Sequence, residues 1–103
     1  MKNATSALPL PHRCRFMRTM IEDHRTGLRY NDRFREYSIA YQQGSSVQLI
    51  GYCPGCGKRL PASLRDEWFD AMEKIGVDPG RHPRRVPAAY RNGAWWRERG
   101  KLV

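Results

Sequence analysis

The segment Cys53-Pro54-Gly55-Cys56-Gly57 places two thiols two residues apart on a stretch that has to turn sharply. Two thiolates sharing one tetrahedral zinc ion sit at Zn–S distances of about 2.3 Å, so the backbone between them must reverse within a few atoms. Proline fixes φ directly after the first thiol, and the glycines admit backbone angles that leave amides free to point at sulfur. Redox pairs use the same spacing, but they open a helix inside a thioredoxin-like βαβ pattern, which this sequence lacks. The pattern therefore favours one structural zinc ion over redox chemistry.

A closed tetrahedral site needs two more ligands. Cys14 is the remaining thiol, and the chain holds three histidines: His12, His24 and His82. His12 is favoured as the fourth ligand because a ligand pair close in sequence closes the smaller loop, with His24 second. The expected metal set is thus His12, Cys14, Cys53 and Cys56. Four protein ligands leave no position for a reactive water, and no nucleophile and base stand at interpretable spacing. The expectation is a protein that is not an enzyme.

The elements that must hold these ligands come from a chain of 103 residues, one domain at most and short enough to need a staple beyond its apolar core. Residues 1–11 carry prolines and no periodic pattern, and read as a flexible leader. From Cys14 to about His24, Phe16, Met17, Met20 and Ile21 recur at helical spacing, and Gly27 is placed to end the helix. Residues 30–34 are ambiguous. Residues 36–41 and 47–52 are rich in β-favouring side chains around Gln42-Gln43-Gly44-Ser45-Ser46, which predicts a hairpin running straight into Cys53.

After Pro61, Ser63 with Asp66 resembles a capping box, and Gly76 is a natural stop. Leu64, Trp68, Met72 and Ile75 form one apolar stripe between acidic positions. Beyond it, Pro79, Pro83 and Pro87 forbid long elements, although Pro87-Ala88-Ala89-Tyr90 suits one helical turn, and Trp95-Trp96 reads as an anchor packed on the body. The expected fold class is α+β: a small zinc-ribbon-like domain with a short N-terminal helix, a β-hairpin leading into the CPxCG knuckle, one amphipathic helix and an irregular C-terminal tail. The expected division is a leader (1–11), a zinc-binding domain (12–76) and a Pro/Arg-rich tail (77–103).

The formal net charge is +9, and it comes mostly from arginine. Guanidinium groups suit phosphates and carboxylates through paired hydrogen bonds. From residue 79 to the end, seven Lys or Arg accompany one acid, Glu98. Apolar runs are far too short for a membrane span and no signal-like core opens the chain, so a cytoplasmic address without a membrane partner is expected.

The stretch from Tyr52 to Asp70, YCPGCGKRLPASLRDEWFD, resembles the signature of a small bacterial and phage family, a domain of unknown function. Its members show an HCCxxM opening, a GGSS turn, the motif YCPWCGxxLPxSxRDEWFD and a closing SDxWWR. The corresponding residues here are His12-Arg13-Cys14 with Met17, then Gly44-Ser45-Ser46, the knuckle and helix, and finally Asn92-Gly93-Ala94-Trp95-Trp96-Arg97. The resemblance spans about residues 12 to 97 and implies a zinc-ribbon-like module without implying an activity. Two departures stand out. Arg13-Cys14 replaces a pair of cysteines, so that either His12 takes over as a ligand or this member binds metal more weakly, and Gly55 replaces the tryptophan inside the knuckle.

Two roles fit these features. One is binding of nucleic acid, alone or as an accessory to a larger nucleic-acid machine, through Arg13, Arg15, Arg18, Arg59, Arg84, Arg85 and Arg97. The other is a protein-interaction module docking on a host or viral complex through Arg65 to Asp70 and the Trp95-Trp96 pair.

Overall fold

The computed structural model describes residues 10–44 and 46–98. Most of the expected leader, residues 1–9, lies outside the described residues. Leu10, at its end, is buried. Among the described residues three α-helices, α1 (Arg15–Glu22), α2 (Arg65–Lys74) and α3 (Ala94–Arg97), accompany a three-stranded antiparallel sheet in the order β1 (Leu28–Asn31), β2 (Glu36–Tyr41), β3 (Ser46–Leu49). The class is α+β, as expected. Among the described residues no helix is long and apolar enough to cross a membrane.

Two compact units divide the chain. The first takes in residues 10–30 and 37–62 and holds most of the sheet. Helix α1 buries Met17 and Ile21, one turn apart, against Leu10, Leu28, Tyr37, Cys53 and Leu60. Beyond Glu22, Thr26 Oγ1 donates to the carbonyls of Met20 (2.7 Å) and Asp23 (3.1 Å). Gly27 then takes φ +81°, and its carbonyl accepts the Ala40 amide at 2.7 Å. The turn at Gly27 thus follows the helix by several residues and feeds β1.

Strand β3 pairs antiparallel with β2 in the register Ser38–Leu49, Ile39–Gln48, Ala40–Val47 and Tyr41–Ser46. The expected hairpin is present, but β3 stops at Leu49. Tyr52 instead pairs with Arg59 in an isolated antiparallel bridge. The knuckle is therefore a small hairpin of its own rather than the continuation of a strand.

The second unit takes in residues 31–36 and 63–98. The ambiguous stretch resolves into the end of β1 and a turn, in which Asn31 Oδ1 accepts the amides of Arg33 (3.0 Å) and Phe34 (3.3 Å). Phe34, Leu64, Trp68, Met72, Val86 and Trp95 form its core. The α2 stripe is as expected through Leu64, Trp68 and Met72, whereas Ile75 is half exposed at the helix C-cap. Gly76 ends the helix at φ +74°. Its amide reaches Glu73 O, and the Val77 amide reaches Met72 O, the paired bonds of a Schellman ending.

The expected capping box does not form. Helix α2 starts at Arg65 with Leu64 at the N-cap and no side-chain cap. The Ser63 hydroxyl donates to Glu36 Oε2 at 2.7 Å and accepts the Arg65 amide at 3.1 Å, while the Arg65 guanidinium holds both Glu36 oxygens at 2.8 and 2.9 Å. A buried carboxylate recruits the serine that sequence spacing assigns to capping. Burial alone raises the Glu36 carboxyl, but the bonds from Arg65 and Ser63 outweigh it and hold it below the ordinary range.

The tail is built of short turns at Pro83–Arg85 and Ala88–Tyr90 and the single-turn α3. Indole N–H groups tie it to the rest of its unit. The indole N–H groups of Trp68, Trp95 and Trp96 donate to the carbonyls of Tyr90 (2.8 Å), Arg33 (2.7 Å) and Asp32 (2.6 Å).

Candidate metal centre

Four side chains from the first unit converge. The ligand atoms of His12, Cys14, Cys53 and Cys56 all lie within 4.8 Å of one another. Cys53 Sγ stands 3.9 Å from Cys14 Sγ, and Cys56 Sγ stands 3.3 Å from His12 Nε2. A tetrahedral ion with sulfur ligands at about 2.3 Å sets those sulfurs about 3.8 Å apart, which the Cys53–Cys14 separation matches. The four residues are those expected from the sequence. His24 and His82 are exposed and stand outside the cluster.

Each ligand is held by its local backbone. The knuckle closes through Cys53 N–H to Lys58 O (2.9 Å), Gly57 N–H to Cys53 O (2.8 Å) and Leu60 N–H to Gly51 O (2.8 Å), and Gly57 takes φ +78°. The Gly55 amide points at Cys53 Sγ at 3.4 Å, the donor that the Pro-Gly sequence leaves free. Cys53 itself is buried in the first core, whereas Cys56 is exposed. Cys14 forms the N-cap of α1 with extended backbone, and the His12 amide donates to the Tyr37 hydroxyl at 3.2 Å.

Electrostatics prepare the sulfurs unequally. Burial opposes the Cys53 thiolate, but the amides of Cys56 and Gly55, with the Cys56 and His12 side chains, outweigh it and bring the thiol down to about 6. The Lys58 amide favours the Cys56 thiolate, yet burial and the neighbouring sulfurs of Cys53 and Cys14 push this thiol up. Sulfurs this close repel as anions, and a divalent cation among them removes that penalty.

Phe16 and Tyr37 belong to the site although ligand spacing gives no sign of them. The Phe16 ring lies over Gly55 so closely that a Cβ there would run into it. The absence of a side chain at residue 55, where the resembled pattern carries tryptophan, is the one sequence signal of that contact.

The arginines expected to bind nucleic acid fall in both units. Arg13, Arg15 and Arg59 are exposed beside the ligand loops, with Arg59 over the Tyr52 ring at 5.9 Å. Arg18 pairs with Glu22 at 3.3 Å. In the second unit Arg84 and Arg85 are exposed, while Arg97 is engaged internally: it pairs with Asp32 at 2.6 Å and stacks on Trp96.

A family described as a domain of unknown function (DUF6980) matches residues 5–98. The chain belongs to this family. The match takes in all four candidate ligands, both hydrophobic cores and the paired tryptophans. No curated protein and no solved structure matches the chain. The family's description assigns no function.

Proposed function

We propose that this protein is a non-enzymatic zinc module that contacts nucleic acid, alone or as an accessory to a larger nucleic-acid machine. Three thiolates and one imidazole form a soft donor set of tetrahedral shape, which suits zinc better than hard, six-coordinate cations. The four donors close the coordination sphere and leave no position for a reactive water, so the ion's work is structural.

One observation carries the nucleic-acid reading: four cations beside the candidate ligands are exposed and have no carboxylate partner among the described residues. Arg13 and Arg15 flank Cys14, and Lys58 and Arg59 follow Cys56, all exposed and without an ion pair among the described residues. Convergence of Cys14 and Cys56 on one ion gathers these four cations around it. Such a surface suits the evenly spaced phosphates of a nucleic-acid strand.

Titration of labelled DNA and RNA at several salt concentrations tests the reading. The expected result is binding that falls steeply with salt. Absence of binding even at low salt would contradict it. Docking on a protein is a second reading, favoured by the exposed Phe69 and Ile75 on α2 and just beyond it, amid the acidic Asp66, Glu67, Asp70 and Glu73.

A further inference from the structure

A cavity of about 310 Å³ opens beside the metal centre, lined by Leu10, His12, Arg13, Cys14, Arg15 and Arg18. Half of the described residues that line it are arginines, and none of them is a carboxylate. Arg18 is shared with Glu22, but Arg13 and Arg15 have no ion pair among the described residues. A divalent ion held by three thiolates and a neutral imidazole keeps one net negative charge, and the two free guanidiniums exceed it. The cavity therefore stays electropositive with the metal in place.

The same cavity lies where α1 begins. Cys14 offers no side-chain cap, the first turn contains no acid, and the first helical bond is Arg18 N–H to Cys14 O. The amides of Arg15, Phe16 and Met17 thus precede the helical ladder, and of the three residues Arg15 lines the cavity. Arginine forks supply charge and paired hydrogen bonds, and the open turn adds neutral donors for the same anion.

Building on the nucleic-acid reading above, we propose that this cavity is a phosphoryl-binding site, in which Arg13 and Arg15 clamp one phosphate group against the start of α1. Cys14, the residue between the two arginines, is a metal ligand. Metal binding fixes the backbone from which both guanidiniums project, so phosphate affinity depends on the metal. The phosphate has two possible sources, a nucleic-acid backbone and a small phosphorylated molecule, and the test separates them.

The test uses the metal-loaded full chain, ¹⁵N-labelled and titrated with inorganic phosphate at constant ionic strength. Saturable shifts are expected at the amides of Arg15, Phe16 and Met17. The R13Q/R15Q variant, checked for bound metal and an otherwise unchanged spectrum, should bind phosphate at least about tenfold more weakly. R84Q/R85Q should bind as the parent does. If the double variant loses its metal, R13Q and R15Q singly carry the comparison. Shifts that never saturate, or that spread over arginines throughout the chain, mean an adventitious ion only and overturn the proposal.

A labelled oligonucleotide distinguishes failure of the site from failure of the broader reading. Affinity lost in R13Q/R15Q supports the site, with nucleic acid as the source of the phosphate. Affinity lost only in R84Q/R85Q overturns the site and leaves the nucleic-acid reading intact. Saturable phosphate binding with no oligonucleotide binding supports the site, assigns it to small phosphorylated molecules and ends the nucleic-acid reading.

Discussion

The two units solve the stability problem of a short chain in opposite ways. The second fills its core with Phe34, Trp68 and Trp95 and ties indole N–H groups to backbone carbonyls. Arg33 lies over Phe34 and Trp68 at 4.5 and 4.7 Å, Arg65 lies over Phe34 at 4.3 Å, and Arg65 also grips the buried Glu36. The first has no tryptophan, and its core is mainly aliphatic around Tyr37 and Cys53. Cys53 is a core residue and a candidate ligand at once. Large aromatic area fills one core, whereas the other brings its beginning to its knuckle at a candidate metal site, on which its stability is expected to depend.

Replacing Cys53 by Ser should sharpen that contrast most. It removes a ligand from the centre of the core, and structural zinc contributes on the order of 10 kcal/mol to folding. Loss of the metal and collapse of amide dispersion for residues 10–30 and 37–62 are the expected outcome in a ¹⁵N spectrum. Retention of the parent spectrum without metal would break the comparison.

Trp68→Ala should cost about 3–5 kcal/mol, by loss of buried area and an indole hydrogen bond. Denaturant unfolding measures the loss, and metal content should stay at the parent value. If the metal were lost as well, the division of labour between the units would fail.

Glu36→Gln should cost about 1–3 kcal/mol, because Arg65 then loses its charged partner. Glu36 titrates below its unfolded value. Its stabilisation is therefore fully present above the unfolded pKa of about 4.3 and disappears as pH falls through the lower folded value. Unfolding between pH 6 and 3, conditions chosen for the test, should show a shallower acid slope in E36Q than in the parent; equal slopes would contradict the pairing.

An effect of the same order, about 1–3 kcal/mol, is expected at Gly55→Ala from the clash with Phe16. F16A in the same chain should recover part of it, and no recovery would mean that the cost arises elsewhere.

The candidate ligand set was legible because each of its two halves is local, although the halves lie about 40 residues apart. A CPGC turn admits few structures, and His12 sits two residues from the remaining thiol. The α2 stripe and the Gly76 stop were legible for the same reason, since helical period and a left-handed ending are written in adjacent residues. Features that depend on distant partners escaped. Ser63 accepts the Arg65 amide at the helix start, but spacing gives no sign that its hydroxyl proton goes to Glu36, 27 positions earlier. The knuckle looks like the end of a strand until Tyr52 pairs with Arg59. Arg97 looks like a free surface cation until Asp32, 65 positions earlier, holds it.

Metal analysis of protein purified without added zinc tests the central claim most directly. About one zinc per chain is expected, falling to near none in C53S. A fully folded parent protein that contains no metal would contradict the account.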